Sequence, residues 1–280
     1  MDRLERLPAQ RRAAILERVR ALGAASIQQL ADHVGASPST IRRDLESLTE
    51  QGYLERTHGG ALLQRTLHAT FEPDAATAAA LAAPQKRAIG REAVRRVRSG
   101  NSIILDAGST VLEAARLLAD NPVPLTVVTN GLAIASVLSS APAVRVLVLG
   151  GTLRPDSTTI LGEPGEGFLR GIHVDLCLLG THAISGATLT ETTLEGAALK
   201  RAMIRAAKRT IVLADSSKLQ SPAFCKICDL SEIAELITDD GIGEAHLFAL
   251  RATGATVVVV PVAGSAGIRV AGGEPAEVAG

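Results

Sequence analysis

Short continuous runs of β-branched and aliphatic residues recur through the larger, C-terminal part of the chain, at 103–106, 125–129, 144–149, 174–179, 210–214, 235–238 and 256–260. A run without polar alternation belongs to a strand covered on both faces, and strands joined through helices run parallel. The intervening stretches have helical spacing, with Ile89, Ala93 and Val97 marking the first and 112–118 the next. The pattern therefore predicts an α/β fold with a mostly parallel sheet between helical layers. Ligands of such sheets bind beyond the carboxyl ends of the strands, so the residues just after each run deserve the closest reading.

Upstream of Lys86 the pattern changes. Residues 8–22 place Ile15, Val19 and Leu22 on one helical face, and Gly23 stops the helix. Ser26 and Gln29 make a capping box ahead of a second apolar face formed by Ile27, Leu30, Ala31 and Val34. Gly35 and Ala36 then turn the chain tightly into a third helix, which Ser37 caps and Pro38 opens. In that helix Ile41, Leu45 and Leu48 commit one stripe to a core, while Ser39, Arg43, Glu46 and Ser47 project away from it. Thr40 and Arg42 lie on the flanks of that stripe, and Asp44 lies closer to it, placed to pair with a neighbouring basic group. Arginine forks match guanine edges or phosphate oxygens, and hydroxyls serve either target. A solvated amphipathic face is the alternative for a lone helix. Here a hairpin over 53–62 follows, turning at Gly59 and Gly60 with Arg56 and His58 near its tip. Helix, turn, helix and hairpin together predict a winged helix-turn-helix that reads double-stranded DNA.

Charge and composition narrow the classes further. The net charge is zero, so any affinity for DNA is local, and the basic residues before Lys86 are all arginines interleaved with acids. Aromatic residues make up 2% of the chain and Trp is absent, which removes the side chains that stack on single-stranded bases. Three cysteines and no signal-like apolar start imply a reducing cytoplasm. No apolar run approaches the roughly 20 residues that span a bilayer, so no membrane partner is expected.

The motif TIRRDL at 40–45, followed by RTHGGA at 56–61, resembles the DeoR (GlpR-like) family of bacterial transcriptional regulators. The resemblance implies a winged helix-turn-helix over 1–65 that contacts operator DNA through Ser37, Ser39, Thr40, Arg42, Arg43, Arg56 and His58. It also implies a sugar-phosphate-sensing and oligomerisation domain over 86–262, similar in fold to ribose-phosphate isomerases and CoA transferases. Residues 66–85, rich in Ala and Thr and holding Pro73 and Pro84, read as a connector, and 263–280 as a flexible tail.

The ends of the predicted strands support that picture. Asp106, Gly108, Ser109 and Thr110 follow one run and open a helix whose free amides suit phosphate; an N-cap motif alone is the bland alternative. Thr129 and Asn130 end the next run, Gly150 and Gly151 the next with Arg154 just after, then His182, then Asp215 and Lys218. The resemblance assigns these residues, with Glu195 and Lys200, to the effector site. His182 is read as touching the ligand. Glu195 and Lys200 can equally be surface partners on a helix whose Leu199, Ala202, Met203 and Ala206 face the core. Cys225 and Cys228 form a lone CxxC without further zinc ligands or an activating environment, and read as inert thiols. No metal and no cofactor is expected.

The reading is thus a ligand-responsive repressor, at least dimeric because one winged helix buries little surface on DNA, with a phosphorylated sugar or related metabolite as effector. The rival is a sugar-phosphate isomerase with a DNA-binding module attached. A third possibility is an architectural DNA-binding protein whose α/β domain only oligomerises.

Overall fold

The computed structural model describes residues 7–63 and 74–262. The tail expected at 263–280 and the first part of the connector expected over 66–85 lie outside the described residues.

The N-terminal module runs α1 (Pro8–Leu22), β1 (Ala24–Ser26), α2 (Ile27–Val34), α3 (Pro38–Glu50), β2 (Leu54–Thr57) and β3 (Gly60–Leu63). Each boundary has a local cause. Gly23 turns at φ 77° and Gly35 at φ 72°, Ser26 and Gln29 form the reciprocal capping box, and Ser37 Oγ accepts the Thr40 amide at 3.2 Å. Ile15, Leu16, Val19, Leu30, Ile41, Leu45 and Leu48 fill one core. Burying a side chain of this size stabilises by roughly 1.5–3 kcal/mol, so truncating any one of them damages the whole module. Leu22 departs from the predicted stripe: it is 47% exposed, because Gly23 turns the chain away there, and Leu16 is buried beside Ile15 and Val19 instead. The sheet has the order β1–β3–β2, so the wing is anchored by a third strand, Ala24–Ser26, that the sequence reading did not assign. A Cβ on Gly60 would lie 2.1 Å from the Ala25 carbonyl oxygen, which makes glycine obligatory at that crossing.

The connector is not loose where it is described. It contains α4 (Ala75–Ala80), capped by Asp74 through the Thr77 amide at 2.9 Å, and runs directly into α5 (Ala83–Val94). The elements that follow are β4 (Ser102–Leu105), α6 (Ser109–Asp120), β5 (Leu125–Thr129), α7 (Leu132–Leu138) and β6 (Val144–Val148). A short hairpin, β7 (Thr152–Leu153) and β8 (Ile160–Leu161), precedes α8 (Gly165–Arg170) and β9 (Leu176–Gly180). After β10 (Ala183–Ser185) and β11 (Thr188–Glu191) come α9 (Leu194–Ala206), β12 (Thr210–Leu213) and β13 (Cys225–Asp229). The described chain closes with β14 (Glu235–Asp239), α10 (Glu244–Ala252) and β15 (Val257–Val260).

Seven strands form one parallel sheet in the order β15–β14–β12–β9–β4–β5–β6. Its two faces explain the unalternating runs. Ile103 and Leu105 of β4 pack in one cluster and Ile104 in the other; Ile211 and Leu213 of β12 are likewise split from Val212. The smaller antiparallel sheet β10–β11–β13 and the β7–β8 hairpin escape the sequence reading, since their strands are short and mostly mix polar with apolar residues. From β4 the chain order runs outward to β5 and β6, while from β9 it runs the other way to β12, β14 and β15. This reversal opens a crevice at the carboxyl ends of β4 and β9.

Candidate nucleic-acid interface and ligand cleft

The first site is the outer face of α3. Arg42 and Arg43 are exposed, as are Ser37 and Ser39. The hydroxyls are organised before any partner arrives: Ser37 Oγ meets Ser39 Oγ at 2.8 Å and Thr40 Oγ1 at 2.9 Å. Ser37 is therefore the capping centre of the cluster, and its hydroxyl is committed to the helix end. Asp44 pairs as expected with a basic neighbour, accepting a two-pronged contact from Arg11 of α1 at 2.5 and 3.1 Å. Ser47 differs from its prediction. Arg12 donates to its Oγ at 2.9 Å, so α1 covers that part of α3 instead of leaving it outward. The wing lies beside the same face, with Arg56 bonded to Glu46 of α3 at 3.0 Å and His58 exposed at the turn.

The second site is a cleft of about 350 Å³ at the switch point of the parallel sheet. Gly108, Ser109 and Thr110 line it at the start of α6, a helix end without a side-chain cap. A Cβ added to Gly108 would meet no protein atom, so glycine keeps space open in the cleft and is not needed for packing. Arg154, His182, Lys200 and Lys218 also line it, as do the hydroxyls of Ser157, Thr158 and Thr159.

Behind this wall sits a buried charge cluster. Lys200 Nζ lies 2.6 Å from Glu191, 3.3 Å from Asp106 and 3.0 Å from the Gly180 carbonyl oxygen, which it donates to. Asp106 is 1% exposed and accepts the Gly180 amide at 3.0 Å, tying β4 to β9 across the switch point. The two carboxyls respond differently. Burial pushes the Asp106 carboxyl up, and Lys200 only partly offsets it. Burial pushes Glu191 the same way, but the closer ammonium of Lys200, helped by the Thr192 amide, overrides it and holds Glu191 at about 2. Burial and the charge of Asp106 raise the Cys177 thiol well above its ordinary range, which leaves it unreactive.

Several residues assigned to the ligand from the sequence turn out to build the cleft. Asn130 accepts the Ala107 amide at 2.8 Å and donates to the Ile160 carbonyl at 3.1 Å, clamping two cleft loops together. Thr129 donates to the Leu105 carbonyl at 2.6 Å, and Asp215 accepts from Ser217, shaping the turn that presents Lys218. Gly150 and Gly151 serve a crossing: Gly151 has φ 146°, and a Cβ there would lie 2.3 Å from the Leu161 carbonyl oxygen. Glu195 is exposed on the first turn of α9 and outside the cleft; the carboxylate that meets Lys200 is Glu191, which the sequence reading missed. The apolar face assigned to α9 is buried as read. Cys225 and Cys228 are both buried, with Cys228 pushed up to about 12 by burial. Among the described residues no cluster of His, Cys, Asp and Glu is arranged to hold a metal ion, and no helix is long and apolar enough to cross a membrane.

Comparison with known proteins matches both domains. Residues 11–66 match the DeoR-like helix-turn-helix domain and residues 82–240 the DeoR C terminal sensor domain. The chain is 36% identical to a protein of Escherichia coli O157:H7 named as an aga operon transcriptional repressor, over 90% of this chain and 93% of that one. It is 35% identical to the transcriptional repressor GlcR of Bacillus subtilis, over 89% and 95%, and 34% identical to an L-fucose operon activator of Haemophilus influenzae, over 80% and 89%. Among solved structures, eIF2B delta from Chaetomium thermophilum aligns at 16% identity and TM-score 0.46, over 82% of this chain and 93% of that one. Ribose 5-phosphate isomerase A from Methanocaldococcus jannaschii aligns at 18% and 0.36, over 48% and 53%. On the two matched domains and the near full-length relatives, the chain belongs to the DeoR family of helix-turn-helix transcriptional regulators, DNA-binding proteins rather than enzymes.

Proposed function

We propose that this regulator is a repressor whose grip on operator DNA is set by a phosphorylated sugar or related metabolite bound in the switch-point cleft. The observation that carries the reading is the joint presence, around one cavity, of an uncapped helix start, the guanidinium of Arg154 and the ammonium of Lys218. A phosphate monoester is matched by all three: free amides, a planar fork and a point charge. His182, Lys200 and Glu191 offer donors and acceptors to sugar hydroxyls in the same cavity. On the DNA side, Ser39, Arg42 and Arg43 read the major groove while Arg56 and His58 follow the backbone. Two copies provide paired reading helices, and the effector acts by binding more tightly to the arrangement that fits the operator less well.

The test is fluorescence anisotropy of the full chain on the DNA upstream of its own coding sequence, at fixed salt, with a panel of pentose and hexose phosphates. One compound shifting the affinity while its neighbours do not supports the reading. If no member of the panel binds or shifts the affinity, the sugar-phosphate assignment is wrong.

A further inference from the structure

The alanine-rich helix α4 stands between the two sites. On one side Ala75, Ala76, Ala78 and Ala79 line the cleft. On the other, Ala80 and Leu81 pack into the core of the winged helix, and Thr77 between them is fully buried. Both ends are tied. The Ala75 amide donates to the Asp156 carbonyl at 3.3 Å, in the loop that brings Arg154 and Ser157 to the cleft. The Ala82 amide donates to Glu17 of α1 at 3.1 Å, and the ammonium of Lys86, a residue 4% exposed, donates to the Ala78 carbonyl at 2.5 Å. Asp74, the cap of α4, lies in the field of Arg12, the same arginine that bonds Ser47 on the reading helix.

We propose that α4 is a wall of the ligand site and the element through which occupancy of the cleft reaches the reading helix. The proposal rests on the cleft being a ligand site. Alanine suits the task physically. A wall of methyl groups has no rotamers with which to absorb a ligand's push, so contact with it displaces backbone, and close-packed neighbours pass that displacement on. The displaced backbone carries Leu81, which belongs to the other core. Lys86 is the positioning residue that holds α4 against α5 in the resting state.

A double-mutant cycle on the full chain tests this without any ligand. Ala79→Trp fills the cleft from α4, and Glu17→Gln weakens the tie between α4 and α1. Ala79→Trp alone is expected to change affinity for the upstream DNA by about tenfold or more, and by less than about threefold in the Glu17→Gln background. Independent, additive effects of the two changes, or no effect of Ala79→Trp, overturn the proposal. Should Ala79→Trp fail to fold, Lys86→Met keeps the stem and loses the bond. Amide exchange is then expected to quicken about tenfold in both α4 and α1, and quickening confined to α4 overturns the idea. The sugar-phosphate reading is tested separately by thermal protection with the panel of pentose and hexose phosphates. Protection without coupling in the cycle rejects only the role of α4, whereas coupling without protection rejects only the ligand class.

Discussion

The reading face of α3 and the switch-point cleft are both polar, yet their charges are held in opposite ways. Arg42 and Arg43 point into solvent, whereas Asp106 and Glu191 are buried and both meet the half-buried ammonium of Lys200. An exposed arginine costs the fold almost nothing, and its worth appears when phosphates arrive and release their counterions. An ammonium held between two buried carboxylates is committed at folding and forms part of the protein's stability whether or not a ligand is bound. One surface is therefore soft and salt-sensitive, and the other is rigid and preorganised.

The largest expected effect that would break this contrast is on the cleft. Lys200→Met leaves two neighbouring buried carboxylates without their cation and should destabilise by about 3–5 kcal/mol in urea unfolding. A loss below about 1 kcal/mol would mean the cluster is solvated like the surface of α3. Next comes pH. The folded-state value of Glu191, about 2, lies below its ordinary 4.5, so its contribution is complete above about pH 4.5 and disappears as pH falls toward 2. That contribution is on the order of 3 kcal/mol at most. Asp106, shifted upward, works in the opposite sense: it favours folding at low pH and loses that contribution as pH rises, so the net acid loss is smaller. Urea midpoints of the parent and of Glu191→Gln between pH 7 and 3 should converge on acidification; parallel curves would deny the cluster its role.

Effects on α3 should be smaller in free energy and confined to DNA. Arg42→Ala or Arg43→Ala is expected to weaken operator binding by about 1–3 kcal/mol each while the unfolding midpoint stays put. On the wing, Arg56→Ala loses a backbone contact and should instead flatten the dependence of log affinity on log salt by about one, measurable by anisotropy between 50 and 200 mM salt. Equal salt sensitivity of ligand binding in the cleft would erase the distinction. Smallest of all, Glu195→Gln should leave both sugar-phosphate binding and stability unchanged within about 0.5 kcal/mol. A lost ligand response in that variant would restore Glu195 to the site.

What was readable in the sequence divides along the same physical line. Helix ends, the α3 stripe and the parallel strands follow from neighbours in the chain: Ser37 caps Thr40 three residues on, and strand runs show their two covered faces directly. The partner of Lys200 was not readable. Helical proximity suggested Glu195, whereas Glu191 reaches the ammonium only because β11 packs against α9. Asn130 and Asp215 look like ligand contacts when seen as polar residues at strand ends, but their hydrogen bonds are spent on loops that are distant in sequence or on the turn itself. α4 was hidden for a related reason. An Ala-rich stretch between prolines has weak local signals, and its order depends on Glu17 and Lys86, one 65 residues away from its partner Ala82 and the other on the next helix.

The fork from Arg11 to Asp44 has a consequence for how such a regulator carries a message. With α1 and α3 locked by that fork and by Arg12 on Ser47, the reading helix does not pivot inside its own module. Under the proposed mechanism the module as a whole is the moving part. In a paired assembly the signal is then a distance between two unchanged readers, measured against a ruler that DNA itself supplies, its helical repeat of about 34–36 Å.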